Sequence, residues 1–443
     1  EVNIKILLNG LVQTGKLTLA NRNVLLAQMT DEVAELVLRD NYQQSMTISL
    51  MEQRAVELLD AQNRTMKLFE RDGLLNRAIE YLPDDEELAD RVAKGVALTR
   101  PEISVFLPYG KMWLYERLIA SDLPDDPVSE EDLFAYFPKP IQKKYPAAIK
   151  SHKLRREIVA TSVTNSFINR VGPHFLTTLM DRSGMGPVEV AKAYIITRIC
   201  YGLRDTWKKI EVLDNKAPAA AQYDMFIEIN RMIERSALWL LRNVPAPLDI
   251  SATVARLKPV VDVFRSSYGS LWSEDVARYV KRSADAYKAK GVPENLALEV
   301  ALLFRIAAAN DVWRLSEALK QPVPHVAKMY FLVGARFGLG DLRRSTEDLA
   351  RTSHWERLAV SAAVEELYAH QTKLTQLVLS LAKGKKATGE KATGAKAIDA
   401  WIETNKAPVD RFDQVLAEIR AAETVSLAML TVANRQLSAL SAG

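Results

Sequence analysis

Apolar residues recur every three or four positions along most of the chain, which is the period of an α-helix. In residues 43–72 they stand at Met46, Ile48, Leu50, Met51, Val56, Leu58, Leu59, Met66, Leu68 and Phe69. Gly73 follows them, where a helix end is expected. The same pattern spans 99–118, 151–171, 187–210, 220–243, 252–265, 272–290, 294–309, 310–320, 324–337, 341–350, 354–382 and 408–440. The pattern predicts an all-α protein.

Start and stop signals agree with this prediction. Thr99 and Glu102 have the spacing of a capping box, with Pro101 in the first turn. Gly172-Pro173 is expected to end the helix over 151–171. No Asn-Gly or Asp-Gly pair lies between alternating apolar runs, so hairpins are not indicated. The expected fold is a multi-helix, bundle-like array with at most one short strand near the N-terminus, because residues 3–8 fit either a strand or a helix.

Composition suggests where the helices are grouped. Residues 121–150 are rich in Pro, Asp and Lys and predict a connector between helical groups. Residues 383–397 are polar, repeat Lys-Ala-Thr-Gly and predict a flexible loop. The resulting division is a docking segment over 1–30, a first helical group over 31–120, the connector, a main helical domain over 151–382, the loop, and C-terminal helices over 398–443.

Charge and cysteine content exclude several classes of protein. Lys and Arg number 59 and Asp and Glu 55, and this balance does not favour a nucleic-acid or membrane partner. Cys200 is the only cysteine, so a disulfide framework is excluded and a cytoplasmic location is expected. The chain opens with the apolar, patterned run Glu1–Leu8, without the features of a signal peptide. We expect a segment of a longer protein rather than a processed native start.

Candidate catalytic residues are few. The histidines are His152, His174, His325, His354 and His370, and none stands four residues from another, so a zinc helix is not indicated. The acidic run Asp84–Glu87 follows Pro83 and is typical of a first helical turn, where the helix dipole favours acids. It lacks the second carboxylate face that a Mg²⁺-binding helix requires. We predict no catalytic, cofactor-binding or metal-binding residue in this chain.

One glycine cluster, Gly334–Asp341, is a candidate phosphate site with Arg343 and Arg344. It lacks the Lys-Ser/Thr of a P-loop and no predicted strand precedes it. Helix capping is the favoured interpretation, with Asp341 as an N-cap.

Three further residue sets have structural explanations. Lys143, Lys144, Arg155 and Arg156 predict a solvated basic face, and Cys200 a small core residue. The tryptophans are spread along the chain in a way that favours helix packing: Trp113, Trp207, Trp239, Trp272, Trp313, Trp355 and Trp401.

Several strings nevertheless resemble one family. They are Glu1–Leu8, Asn21–Val33, Leu98–Val105, Tyr136–Pro138, Arg155–Thr161, Asn165–Arg170 and Trp239–Asn243. Their sequence and order resemble the large bacterial NAD-dependent glutamate dehydrogenases, chains of well over a thousand residues. The resemblance runs to about residue 380 and more loosely to the end.

The resemblance implies an oxidoreductase of amino-acid catabolism that converts L-glutamate, NAD⁺ and water to 2-oxoglutarate, ammonium and NADH. It implies that residues 1–30 are the tail of the dehydrogenase domain and that the catalytic and NAD-binding residues precede Glu1. This segment alone is then expected to be inactive and to bind no cofactor. Its expected partners are its own catalytic domain and, as a homo-oligomer, further copies of the full-length chain.

Three roles follow for such a segment: bracing the catalytic domain, supporting assembly, or regulation. We favour the brace, with the apolar segment Ile4–Leu11 docking on the dehydrogenase domain and being either exposed or repacked in its absence. The alternative is a free-standing helical scaffold or adaptor protein, and a third reading is an independent helical enzyme.

Overall fold

A computed structural model describes residues 1–267, 271–272, 274–346, 349, 354–387 and 394–441. Within these residues every regular element is a helix, and no strand occurs. The all-α prediction is therefore confirmed. Residues 3–8, which fitted a strand or a helix, lie in the first helix.

The backbone divides into two compact units. The first comprises Glu1–Glu211 and Ala219–Ala255, and the second comprises Val212–Pro218 and Arg256–Gly443. Helices of the first unit are α1 Val2–Gln13, α2 Leu19–Gln28, α3 Thr30–Gln53, α4 Ala55–Arg71, α5 Asp85–Ala93, α6 Arg100–Ile119, α7 Glu130–Ala135, α8 Lys139–Lys144, α9 Pro146–Lys150, α10 Arg155–Val171, α11 Pro173–Ser183, α12 Pro187–Cys200, α13 Leu203–Glu211 and α14 Ala219–Asn243. Two 3₁₀ turns, Leu123–Asp125 and Pro127–Ser129, precede α7.

Helix α15, Ile250–Ser266, begins in the first unit and ends in the second. The other helices of the second unit are α16 Glu274–Ala289, α17 Glu294–Ile306, α18 Ala309–Leu319, α19 Val323–Arg336, α20 Leu339–Arg344, α21 His354–Ala387, α22 Ala395–Thr404, α23 Lys406–Ala421 and α24 Leu427–Ser441.

Local signals place the helix ends well. The Thr99 amide donates to Glu102 Oε2 at 2.7 Å, so the capping box is present. Gly172 ends α10 with a φ of +78°, a conformation that glycine adopts without strain, and Pro173 opens α11.

Some long predicted helices are in fact two. The pattern over 43–72 is broken at Arg54, that over 187–210 at Gly202, and that over 408–440 after Ala421. Arg54 has φ −113° and ψ 22°, outside the helical region, and Gly202 has a φ of +54°. Hydrophobic periodicity does not reveal a break of one or two residues, because the apolar period resumes on both sides.

Helix α10 is central to the core of the first unit. It packs against α3, α6 and α7. Val159, Val163 and Phe167 of α10 have no exposed surface. The Phe167 ring lies 4.8 Å from the Tyr194 ring and 5.9 Å from the Phe175 ring, centroid to centroid.

In the second unit the long helix α21 packs against α18, α19, α22 and α24. Phe337, at the end of α19, contacts the rings of Trp401 and Phe412 at centroid distances of 6.1 and 6.0 Å. All three aromatic side chains are buried, so aromatic packing connects α19, α22 and α23.

The stretch 121–150 is folded and packed. It contains the two 3₁₀ turns and the helices α7, α8 and α9. Leu133, Ile141 and Ile149 have no exposed surface. The sequence-based domain division stays a prediction. In the expected loop over 383–397, α21 continues to Ala387 and α22 begins at Ala395, while 388–393 lie outside the described residues.

The N-terminal helix α1 is packed within the first unit. Ile4, Leu7, Leu8 and Leu11 are at most 8% exposed, and α1 contacts α2 and α9. In this chain the segment is therefore packed rather than exposed. Its docking on a dehydrogenase domain stays a prediction.

Gly110 marks a close approach between α6 and α11. A Cβ atom at Gly110 would stand 2.6 Å from Pro173 Cβ. We expect Gly110→Ala to lower the free energy of unfolding by about 1–3 kcal/mol, because the helices must move apart. Urea denaturation followed by circular dichroism measures this change.

Gly10, inside α1, provides the matched control. A Cβ there meets no atom within 4 Å, so Gly10→Ala is expected to stabilise the protein by about 0.5–1 kcal/mol through higher helix propensity. Equal effects of the two substitutions would contradict the assigned close approach.

Candidate functional site

A cluster of buried charges lies in the first unit where α7, α12 and α13 meet. Asp132 and Arg198 are each only 1% exposed, and Arg198 Nη2 donates to Asp132 Oδ2 at 2.6 Å. Arg204 donates to Asp132 Oδ1 and, at 2.5 Å, to Glu131. Both carboxylate oxygens of Asp132 are therefore bound by guanidinium groups.

Helix α10 completes this cluster. Arg198 Nη1 donates to Ser166 Oγ at 2.9 Å, and the Tyr194 hydroxyl donates to the Ser166 carbonyl at 2.8 Å. Tyr194 and Arg198 stand four residues apart on α12, so both side chains point to the same side. Burial raises the pKa of Tyr194. Burial also opposes the charge of Arg198, but the Asp132 carboxylate outweighs it and raises the pKa of the guanidinium.

A second buried pair joins α10 to α13 and α14. Arg170 Nη2 donates to Glu211 Oε1 at 2.5 Å. The Arg170 guanidinium also lies 4.6 Å from the centre of the Trp207 ring, a cation–π contact. Asn230 donates to the Arg170 carbonyl at 3.1 Å. The charge of Arg170 is thus balanced within the helix packing.

These clusters suit a structural role better than proton transfer. A general acid or base needs an accessible titratable group within hydrogen-bond reach of a substrate. Asp132 is enclosed, and both of its oxygens already accept hydrogen bonds from arginines. The arrangement fixes the positions of α7, α10, α12 and α13 relative to one another.

Asp132, Arg198 and Arg204 belong to no motif that the sequence alone makes recognisable. A signal was nevertheless present, because Arg198 interrupts the apolar run from Tyr194 to Cys200. An arginine on a fully buried helix requires an acidic partner. The sequence does not name that partner, which lies 66 positions away along the chain.

The described histidine side chains have different surroundings. His152 Nε2 hydrogen-bonds to the Asn3 carbonyl at 3.0 Å, and His152 Nδ1 accepts from the Leu154 amide at 3.0 Å. His174 is buried, His370 half-buried and His325 exposed; the side chain of His354 lies outside the described part. Among the described residues, no group of three His, Cys, Asp or Glu side chains is placed to hold a metal ion.

The acidic run caps a helix. Asp84 Oδ1 accepts from the Glu87 amide at 2.9 Å, and Asp85, Glu86 and Glu87 form the first turn of α5. The interpretation of this run as a first helical turn is confirmed.

The glycines of 334–341 allow close helix packing. A Cβ at Gly334 would lie 2.5 Å from Gln371 Nε2, and one at Gly338, whose φ is +60°, would lie 2.8 Å from a Leu416 methyl group. Asp341 accepts from Arg420 at 2.7 Å and also from Arg344. Asp341 thus pairs with Arg344 and Arg420, whereas the Arg343 guanidinium lies 4.2 Å from the centre of the Tyr368 ring. Gly338 is the N-cap of α20 and Asp341 lies in its first turn, so the prediction of Asp341 as the N-cap is wrong.

Most of the other residues discussed in the sequence pair with neighbouring residues or pack in the core. Arg155 and Arg156 both pair with Asp125, and Arg156 also donates to two backbone carbonyls at 2.9 Å. Cys200 is buried, as expected of a core residue. Trp355, in the first turn of α21, departs from the expected helix packing and is 75% exposed.

No helix in the described residues is both long enough and apolar enough to cross a membrane.

Two family models match the sequence. The model of "Glutamate dehydrogenase, C-terminal" matches residues 95–439. The model of "Bacterial NAD-glutamate dehydrogenase, catalytic domain" matches residues 1–51. The first match covers most of the chain. This chain belongs to the glutamate dehydrogenase C-terminal family.

Curated relatives agree with the family. The NAD-specific glutamate dehydrogenase of Pseudomonas aeruginosa is 36% identical over 437 residues, that of Halomonas elongata 34% over 438, and that of Mycobacterium tuberculosis 30% over 437. Each alignment covers 99% of this glutamate dehydrogenase C-terminal chain but 26–27% of the relative. The chain thus spans about a quarter of the length of the relatives it matches.

The structural role of the buried pair Asp132–Arg198 in this glutamate dehydrogenase C-terminal chain can be tested by removing one charge. Asp132→Asn keeps the shape of the side chain but leaves Arg198 buried without its counter-charge. We expect the free energy of unfolding to fall by about 3–5 kcal/mol. Glu130→Gln on the same helix is the control, because its partner Lys150 is about half exposed, and a change below about 1 kcal/mol is expected. Equal losses in urea denaturation would contradict the assigned role.

His174 predicts a pH dependence of stability. Burial, reinforced by the charge of Arg54, lowers the pKa of His174 to about 3, whereas an unfolded histidine titrates near 6.5. The neutral His174 therefore makes its full contribution to the free energy of unfolding above about pH 6.5. This contribution is lost as the pH falls towards 3. At pH 5 the loss is about 2 kcal/mol.

The expected result is that His174→Gln weakens the fall in stability between pH 7.5 and pH 5. Urea denaturation at both pH values measures it. His325→Gln, at an exposed position, should keep the pH dependence of the unaltered protein. An identical pH dependence in both variants would count against the assignment to His174.

Proposed function

We propose that this chain is the C-terminal helical part of an NAD-dependent glutamate dehydrogenase and that it braces the catalytic part. The full-length enzyme would convert L-glutamate, NAD⁺ and water to 2-oxoglutarate, ammonium and NADH. The observation that carries the proposal is the family match over residues 95–439, together with relatives named NAD-specific glutamate dehydrogenase that are almost four times as long.

In this proposal the active site lies outside the chain. The catalytic-domain family model matches only residues 1–51. The buried carboxylate Asp132 is bound by two arginines, and the glycine cluster at 334–341 is occupied by helix packing. NAD is therefore assigned to the full-length enzyme and not to this segment.

The brace is favoured by the rigidity of the first unit. Dehydrogenation in a cleft requires that domains close over the substrate and open again, so a stiff element beside the moving parts limits the motion to useful geometries. The buried pairs Asp132–Arg198 and Arg170–Glu211 join helices far apart in the chain. A unit held in this way resists deformation.

The proposal includes a cytoplasmic location, homo-oligomers of the full-length chain, and no nucleic-acid or membrane partner. A free-standing scaffold is the less favoured alternative, because 99% of the chain aligns within much longer relatives.

Truncation of the full-length enzyme tests the proposal. Removing residues 52–443 while keeping the part matched by the catalytic-domain model should lower NAD-dependent glutamate oxidation by about tenfold or more, because the cleft loses its support. Differential scanning fluorimetry should show a lower melting temperature. The 443-residue chain alone should show no saturable NAD binding by calorimetry.

Unchanged kinetics and melting after truncation would reject the brace. Saturable NAD binding by the 443-residue chain would place part of the active site within it. Lack of glutamate oxidation by the full-length protein would reject the proposed reaction itself.

A further inference from the structure

Lys111 of α6 is a partly buried lysine whose ammonium group has no counter-charge in contact. Its exposure is intermediate, and among the residues that the structure describes no hydrogen bond or ion pair engages its Nζ atom. Lys192 offers a contrast, because it is 4% exposed but lies 3.3 Å from Asp122 and 3.5 Å from Glu189. The fold thus pairs the charge of Lys192 and leaves that of Lys111 without a partner.

Lys111 lies at the edge of the buried side of α6. Leu107 and Leu114, one turn away in each direction, are 1% and 0% exposed, and positions i−4 and i+3 share one side of a helix with residue i. Arg100, about 20° from Lys111 around the helix axis, donates to Glu52 of α3 at 3.0 Å. The Lys111 side chain therefore lies where α6 passes from the apolar core to its contact with α3.

The carboxylate that acts on Lys111 is Asp40 of α3, and it is engaged by other groups. Asp40 Oδ1 accepts from Asn169 Nδ2 at 2.8 Å, and Asp40 Oδ2 accepts from Gln44 Nε2 at 2.7 Å. Neutral amides thus hold both oxygens. Asp40 attracts the Lys111 ammonium from a distance without forming an ion pair with it.

These surroundings favour the neutral amine. Burial lowers the pKa of the Lys111 ammonium, and the attraction of Asp40 offsets this effect only in part. A lysine that is desolvated in this way is a better nucleophile near neutral pH than a fully hydrated one, because the neutral amine is the form that attacks. Acylation would also replace an uncompensated charge by a neutral amide.

We propose that Lys111 is an acylation site that reacts with small acyl phosphates. The Nζ lone pair attacks the acyl carbon, a C–N bond forms, and the bond from that carbon to the phosphate oxygen breaks. The phosphate leaves with the electron pair of the broken bond and takes up the proton that the nitrogen loses. This modification goes beyond the proposed dehydrogenase reaction and does not depend on it.

Labelling with acetyl phosphate tests the proposal. The full-length protein is incubated with the reagent at pH 7.5, and mass spectrometry measures the acetylated fraction of each lysine over time. The controls are Lys94, which is exposed, and the buried, paired Lys192. The full-length protein is used so that a site covered by another part of the polypeptide would be unreactive.

We expect Lys111 to be acetylated at least about threefold faster than Lys94, although it is less exposed, because more of it is in the neutral form. Its rate should also reach a plateau at a lower pH than the rate at Lys94, and Lys192 should stay unmodified. Lys111→Arg keeps the positive charge and should remove this label alone. A rate at Lys111 equal to or below that at Lys94 would overturn the proposal.

Melting temperatures separate a modification site from a charge that the fold requires. Lys111→Gln carries a neutral amide and should keep or raise the melting temperature, because it removes a partly buried charge that has no ion pair. Lys192→Gln should lower it, because Glu189 loses its partner. A fall of the same size in both variants would show that the fold requires the charge of Lys111 and would contradict its assignment as an acylation site.

Discussion

The first unit depends on one interaction, the pairing of the Asp132 carboxylate with Arg198 and Arg204. Removing such charges from water costs several kcal/mol per ion, and only close pairing and further hydrogen bonds offset this cost. Here Ser166 Oγ accepts from Arg198 Nη1 and Glu131 accepts from Arg204 Nη1. The arrangement tolerates little displacement of α7, α10, α12 or α13, because any separation would leave a charge buried without a partner. The gain is therefore a defined geometry more than added stability.

The same logic explains why residues 121–150 are more than a link between helical groups. Asp132 lies in this stretch, and so does Tyr136, whose hydroxyl accepts from Asn3 Nδ2 at 3.0 Å. The Lys139 amide binds Glu32, and His152, just beyond the stretch, binds the Asn3 carbonyl. A segment rich in Pro and charge thus anchors α1, α3 and α12. Proline limits its backbone freedom, and the charged groups find specific partners.

The family boundary and the structural boundary do not coincide at the start of the chain. Residues 1–51 match the catalytic-domain family model, yet Leu8, Leu50 and Met51 are buried within the first unit. Helix α1 and the hydrogen bonds of α3 thus anchor these residues within the first unit.

The helical class follows from the amino-acid order alone, because the apolar period is local and repeats in nearly every segment. The amino-acid order also determined the capping box at Thr99 and the helix end at Gly172, since both depend on residues within one turn. The resemblance to large glutamate dehydrogenases likewise came from short strings, and the family match bears it out. The helix breaks at Arg54 and Gly202 were not predicted, because they do not disturb that period.

Which distant residues contact one another becomes known only from the folded chain. Asp132 and Arg198 are 66 positions apart, and Asp40 and Asn169 are 129 apart, so no local pattern pairs them. The folded chain also decided that Ile4–Leu11 lies inside and Leu38 outside. The segment Ile4–Leu11 and the helix around Leu38 both contain apolar residues. Hydrophobic periodicity shows which side of a helix is apolar, but it does not show towards which neighbour that side points. That direction is set by the neighbours a helix acquires when the chain folds.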